Sequence, residues 1–327
     1  MFKAAVVQAS SIPFEPQLSA EKAAGLIRQA AAQGATLAVF PEAFLGGYPK
    51  GAAFGTVIGS RNATGRAHFE RYMDGAVTLD GPELARLSEV ANETGLHVVM
   101  GIIERLGRTL YCTAVTLAPG QGIAGYHRKL MPTGQERIIW GFGDGSTIAP
   151  VDTPFGRLGS VICWENYMPA LRQAMYAQGT EIYCAPTADD RPTWASSMVH
   201  IALEGRVHVL SACQAITLAE YPASYREDFN LQAQDADYIM HGGSMIVSPT
   251  GEVLAGPVFD QETILYADID LSIGRASNLD FDVCGHYSRP EVFQLKVNTA
   301  PMQAVVFGEG VICEERGVTG IKKPACG

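Results

Sequence analysis

Three residues of different chemistry stand at comparable places along the chain. Cys163 closes the apolar run Val161-Ile162, Glu42 follows Phe40-Pro41, and Lys129 ends the basic triplet His127-Arg128-Lys129. A thiol can attack an electrophilic carbon, a carboxylate can take its proton, and an ammonium can return a proton or hold a developing negative charge. Together they can run an acyl transfer. Each also has a plainer reading. A cysteine at a strand end is often an inert core thiol, a strand-end carboxylate is often structural, and a basic triplet is often a solvated turn. Glu42, flanked by Phe40, Ala43 and Phe44, is expected to be desolvated, which raises a carboxyl pKa and suits it to base work. A thiol at a turn near backbone N–H groups is expected to have a lowered pKa, and the Trp164 N–H could bind developing negative charge.

These residues need elements that bring them to one place. Thr36-Leu37-Ala38-Val39-Phe40 is a continuous apolar run, as in a strand buried on both faces. Pro41 cannot continue a central ladder, so Glu42 falls just beyond the strand's carboxyl end, where ligands gather in open α/β sheets. Leu158–Cys163 is a second such strand. Tyr111–Ala118 and Gly122–His127 flank Pro119-Gly120-Gln121-Gly122 and predict a hairpin leading into Lys129. Further strands are expected at Ala4–Gln8, Leu96–Ile103, Glu181–Ala185, Val207–Gln214, Ser244–Val247, Val253–Ala255 and Ile264–Ile269. Helices are expected from Ala20, capped by Ser19, to about Gln33, and at Pro82–Thr94, Pro169–Gln178 and Thr193–Gly205. After about Leu271 the pattern weakens. Strands alternating with helices, plus hairpins, argue an α/β fold with helices covering sheets.

The 327 residues are 47% hydrophobic and 18% charged, a globular balance. The formal net charge of −10, with scattered Lys and Arg, argues against a nucleic-acid surface. No apolar stretch approaches the roughly 20 residues of a membrane helix. The opening Met1-Phe2-Lys3-Ala4-Ala5-Val6-Val7 reads as a strand, so a cytoplasmic location is expected. The seven cysteines (Cys112, Cys163, Cys184, Cys213, Cys284, Cys313 and Cys326) are widely spaced without a Cys-x-x-Cys, which supports neither a disulfide framework nor a zinc site.

Phe40-Pro41-Glu42, His127-Arg128-Lys129 and Val161-Ile162-Cys163-Trp164-Glu165 resemble, in order and separation, the three signature blocks of the nitrilase superfamily of carbon–nitrogen hydrolases. The resemblance runs from about Phe2 to Ile269. Gly46-Gly47-Tyr48-Pro49-Lys50-Gly51, Leu130-Met131-Pro132-Thr133, Glu136-Arg137, Trp140-Gly141 and Gly285-His286-Tyr287-Ser288-Arg289-Pro290 resemble the nitrilase branch. So does Cys163-Trp164-Glu165, since aliphatic amidases of the superfamily tend to carry Tyr and a different acid after the nucleophile. The resemblance implies a four-layer α-β-β-α sandwich, Cys163 as nucleophile, Glu42 as general base, Lys129 as proton donor and oxyanion partner, and Glu136 as a second pocket acid that positions substrate or Lys129. It implies no metal and no organic cofactor. Residues 1–271 would form the hydrolase domain and 272–327 a C-terminal extension at a subunit interface, in a homodimer or larger spiral.

The expected reaction takes an organic nitrile to a carboxylic acid and ammonia through a thioimidate and a thioester on Cys163. Tyr48, Trp140, Phe142, Trp164 and Tyr167 put aromatics near the site, either lining a pocket for aryl or arylaceto nitriles or filling the core; Tyr48 and Trp164 are the candidate substrate contacts. The alternatives are an amidase of the same superfamily, a papain-like Cys163–His127 dyad, and a non-catalytic assembly subunit that keeps the fold.

Overall fold

The computed structural model describes residues 1–232, 237–302 and Val305; Cys313, Cys326 and the remainder of the expected C-terminal extension lie outside the described residues. The first half of the chain forms β1 (Phe2–Gln8), α1 (Pro16–Ala32), β2 (Leu37–Val39), α2 (Ala63–Asp74), α3 (Pro82–Thr94), β3 (His97–Leu106), β4 (Thr109–Ala118), β5 (Gly122–Arg128), β6 (Val151–Thr153) and β7 (Gly156–Ser160). The second half adds α4 (Pro169–Ala177), β8 (Ile182–Thr187), α5 (Trp194–Gly205), β9 (His208–Cys213), β10 (Ala215–Thr217), α6 (Ala223–Asp228), β11 (Tyr238–Val247), β12 (Val253–Phe259), β13 (Thr263–Ile269) and α7 (Leu271–Ser277).

Two mixed sheets result. One runs β13-β1-β2-β3-β4-β5; the other runs β10-β11-β9-β8-β7-β6, with β12 paired to β11. β1, β2 and β3 are parallel, as are β7, β8 and β9, and the remaining pairs are antiparallel. Strand alternation sets the layers. Ala4 and Val6 of β1 pack with Ile182 and Cys184 of β8 and Leu210 of β9 in a core between the sheets. Ala5 and Val7 face the other way, against Ala23 and Ile27 of α1 and Leu87 of α3. Tyr183 and Ala185 of β8 likewise pack against Met175 of α4 and Met198 of α5. The order is helix, sheet, sheet, helix, the expected α-β-β-α sandwich.

Several boundaries differ from expectation. α1 begins at Pro16 rather than after Ser19, because proline at the first helical position costs no hydrogen bond. Ser19 lies inside the helix, where its hydroxyl accepts from the Ile12 N–H at 2.9 Å and donates to the Ile12 carbonyl at 3.0 Å. α2, capped by Asn62 accepting from the Gly65 N–H at 2.7 Å, was not expected: its sequence is mostly polar, and only Gly65 and Tyr72 are buried. The strand read as reaching Cys163 ends at Ser160.

Candidate active site

Glu42, Lys129 and Cys163 arrive from separate elements. After Val39, β2 gives way to Phe40-Pro41, whose Phe40 N–H still pairs with the Val99 carbonyl at 2.8 Å, and the chain turns through Ala43 at φ 54°. Gly101 of β3 lies directly beneath this turn: a Cβ there would stand 2.1 Å from the Pro41 carbonyl oxygen and 2.7 Å from the Glu42 Cα. From the other sheet, the Gln214 amide donates to the Glu42 carbonyl at 3.1 Å and accepts from the Ser11 N–H at 2.8 Å. Glu42 is therefore held by its backbone from both sheets.

Lys129 extends β5 by one residue, its N–H donating to the Cys112 carbonyl of β4 at 2.8 Å. The basic triplet is not a solvated turn. The Lys129 side chain has no exposed surface, and its ammonium donates to Glu42 Oε1 at 2.7 Å and Glu136 Oε2 at 2.8 Å, with the Trp140 ring centre 5.4 Å away. Burial acts to lower its pKa, but the charges of Glu42, Cys163, Cys112 and Glu136 outweigh that and hold it well above the ordinary lysine range. Glu136, in the single 3-10 turn Gly134–Ile138, also accepts from the Thr133 N–H at 2.6 Å and from the Tyr48 hydroxyl at 2.7 Å. Burial raises the Glu42 carboxyl above the usual carboxylate range, against the pull of Lys129. That is the direction expected from its apolar flanks.

Cys163 opens a single 3-10 turn, Cys163–Tyr167, at φ 50°, a left-handed conformation that a non-glycine residue adopts only where its surroundings enforce it. Glu165 enforces it. This fully buried carboxylate accepts from the Ile162 N–H at 3.0 Å and the Leu130 N–H at 2.5 Å, and pairs with His127 Nε2 at 3.1 Å. One side chain thus ties the turn carrying Cys163 to the strand end carrying Lys129. Asn166 donates to the Cys163 carbonyl at 2.7 Å, and Thr187 at the end of β8 donates to Sγ at 3.2 Å. The thiol pKa is raised, not lowered as expected. Burial is the first cause and the Glu42 charge the second, and Lys129 only partly offsets them. The direction of the shift favours the protonated thiol, whose attack calls for a base.

The papain-like pairing has no free nitrogen to use. His127 Nε2 faces Glu165, and Nδ1 lies 3.3 Å from the Thr147 carbonyl. Of the five aromatics, Trp140 is core: its indole N–H donates to the Tyr72 hydroxyl at 3.1 Å, and its ring meets Tyr48 edge-on at 5.9 Å. Phe142 is 53% exposed and does not join the site. Trp164, 41% exposed, donates to Asp189 Oδ2 at 2.9 Å under the Arg191 guanidinium and meets Tyr167 edge-on at 5.8 Å. A cleft of about 340 Å³ opens beside Tyr48, Lys50, Phe54, Thr133 and Glu136. Cys112, Thr187, Gln214 and Gly101 were not singled out from sequence. Cys112 donates to Glu42 Oε1 at 3.3 Å. The signal for Cys112 was the hairpin register, since it lies across the ladder from Lys129.

The chain matches the carbon–nitrogen hydrolase family model over residues 3–277. It is 54% identical over 305 residues to an aliphatic nitrilase of Sinorhizobium fredii, covering 93% of this chain and 98% of that protein. It is 50% identical over 308 residues to the bifunctional nitrilase/nitrile hydratase NIT4A of Lupinus angustifolius, covering 93% and 88%. Among solved structures, the C. elegans NitFhit protein superposes with a TM-score of 0.71 at 20% identity, over 93% of this chain and 68% of that one. With a family model spanning most of its length and nitrilases half identical across nearly all of it, the chain belongs to the carbon–nitrogen hydrolase family, in its nitrilase branch.

Proposed function

We propose that the protein hydrolyses organic nitriles to carboxylic acids and ammonia, with Cys163 as nucleophile, Glu42 as general base and Lys129 as proton donor and oxyanion partner. The observation that carries the reading is the buried ammonium of Lys129 held between Glu42 and Glu136, with the buried Cys163 thiol in reach of the Glu42 and Lys129 charges. Glu42 takes the thiol proton as sulfur bonds to the nitrile carbon, and Lys129 delivers a proton to nitrogen, leaving a thioimidate. Water adds to that carbon, ammonia departs, and a thioester remains. A second water releases the acid and restores the thiol. Covalent catalysis divides one difficult hydrolysis into easier steps. Each donor on the tetrahedral oxygen, Lys129 and the Trp164 N–H, is worth about 3 kcal/mol in sites of this kind. Glu136 orients Lys129, and Tyr48 and Trp164 contact substrate.

The half-exposed Trp164 and Tyr167, edge-to-face on the turn that carries Cys163, support aryl or arylaceto nitriles as the preferred class. A second reading, aliphatic nitriles, is favoured by the name of the Sinorhizobium fredii relative, and partial release of amide by that of the lupin relative. We assign the protein to the cytoplasm as a homodimer or larger homo-oligomer, with residues 1–271 as the hydrolase domain and 272–327 as an extension at the subunit interface. Supporting the last point, the described part of that extension exposes Leu279, Tyr287, Val292 and Phe293.

The test is ammonia release and product identity from benzonitrile, phenylacetonitrile, an aliphatic dinitrile and the matching amides, with Cys163→Ala as control. Acid from nitriles and hardly any from amides is the expected result, with turnover abolished in a folded Cys163→Ala protein. Turnover of amides alone would move the protein to the amidase branch, and turnover by the control would remove Cys163 from the reaction.

A further inference from the structure

Hydrogen bonds on either side of the Cys163–Glu42 pair are committed in a way that leaves one proton route open. On the acid side, Glu42 Oε1 accepts two donors, the Lys129 ammonium at 2.7 Å and the Cys112 thiol at 3.3 Å. Glu42 Oε2 is fully buried and has no partner among the described residues. On the sulfur side, the Thr187 hydroxyl accepts from the Asp189 N–H at 2.9 Å, so its single proton is directed to Cys163 Sγ at 3.2 Å. With Sγ already receiving a hydrogen bond from Thr187, its own proton points elsewhere. Among the described residues Asn166 Oδ1 and Glu42 Oε2 are both buried acceptors without a partner, and of the two only Glu42 Oε2 belongs to a carboxylate that can keep the proton.

We propose that Cys112 and Thr187 are paired positioning residues: Cys112 occupies Oε1 of Glu42 and Thr187 occupies Sγ of Cys163, so that the S–H proton passes to Oε2. The S–H bond breaks, an O–H bond forms at Oε2, and the sulfur electron pair is released for attack. This inference rests on the reading of Cys163 as nucleophile and Glu42 as base. Neither positioning residue touches substrate. Cys112 comes from within β4 and Thr187 from the end of β8, one from each sheet. The groups facing Glu42 are Lys129 from the end of β5, Glu136 from the Gly134–Ile138 turn, Cys112 from β4 and Cys163 from its own turn. Cys112 lowers the Glu42 pKa and Thr187 lowers the thiol pKa, each against the upward pull of burial.

The experiment is the pH profile of kcat/KM for Cys112→Ala, Cys112→Ser, Thr187→Val and Thr187→Ser, each first shown by its unfolding midpoint to be folded. The base must be ionised, so activity is lost as pH falls through its pKa. Removing the Cys112 donor raises that pKa, and the acid limb of Cys112→Ala moves upward by roughly half to one pH unit. Cys112→Ser, which keeps a donor, holds the limb at or below its wild-type position. Thr187→Val loses about 10-fold in kcat with KM little changed, and Thr187→Ser recovers most of it. Superimposable acid limbs for wild type and Cys112→Ala, or an unchanged kcat in Thr187→Val, would overturn the proposal. If Cys112→Ala does not fold, a Cys112→Ser limb displaced above wild type overturns it instead. Full activity in Glu42→Gln would strike the parent reading, whatever the Cys112 and Thr187 variants do.

Discussion

His208 opens β9 with neither ring nitrogen partnered among the described residues, and burial lowers its pKa from 6.5 to about 4. In the unfolded chain the same imidazole protonates near pH 6.5. The sign follows from linkage: the unfolded state binds the proton more readily, so this contribution is complete above about pH 6.5 and is lost as pH falls toward 4. The loss is on the order of 3 kcal/mol. Urea unfolding at pH 7.5 and 4.5 should therefore show a steeper acid loss in wild type than in His208→Phe, which cannot take up the proton. Equal slopes would mean that His208 stays neutral or finds a partner on titration. Lys129 presents the opposite case. Its charge is kept in the interior because two carboxylates flank it, and removing one partner of such a buried set typically costs about 3–5 kcal/mol.

Among the elements, β3 has a task beyond pairing. Gly101 lets β3 pass under the Pro41–Ala43 turn, and a methyl group would meet the Pro41 carbonyl and the Glu42 Cα well inside van der Waals contact. Gly101→Ala is expected to destabilise the fold by about 1–3 kcal/mol and to lower kcat by more than that instability explains, because the turn bearing Glu42 must lift. Unfolding midpoints beside initial rates at saturating nitrile separate the two effects. A stable variant with wild-type kcat would show that the turn relaxes without moving the carboxylate. The β4–β5 hairpin was expected from its turn, but its register was not. A bulge between Thr116 and Leu117 shifts the pairing so that Cys112, rather than its neighbour Tyr111, lies across from Lys129. An unbulged hairpin from the same turn would set Arg128 opposite Cys112, and a one-residue slip turns every side chain to the other face.

At the scale of the whole molecule, the two sheets are packed on an apolar core and pinned by buried amides. Gln214 joins β9 to the Glu42 turn, and Gln8 of β1 accepts from the Ser244 N–H of β11 at 2.9 Å. The extension that follows leaves a row of large apolar side chains on the surface of a single chain, Leu279, Tyr287, Val292 and Phe293 among them. Patches of this kind mark interaction surfaces. The proposed dimer is expected to appear in light scattering as a mass at least twice the 35.0 kDa of the chain. It should weaken in a variant with Tyr287 and Phe293 changed to Ser, and a monomer at micromolar concentration would exclude it.

The sequence by itself determined the alternation of buried strands and amphipathic helices, and hence an α/β fold with helices covering sheets, because hydrophobic period is a local property; the four-layer sandwich was implied by the resemblance. It also marked Glu42 and Cys163, which close apolar strand-like runs, and Lys129, where three basic residues lead directly into apolar ones, while their roles were implied by the resemblance. α2 stayed hidden because a surface helix with two buried residues has almost no apolar stripe to read. Only the tertiary structure decided the environment of the three residues. The thiol pKa rises because Cys163 is buried beside the charge of Glu42, which outweighs the lowering expected of its turn. Cys112, Thr187 and Glu165 reach the site through a bulge, a neighbouring strand end and a left-handed turn. Those are relations between segments far apart in the chain, and they form only once the sheets are assembled.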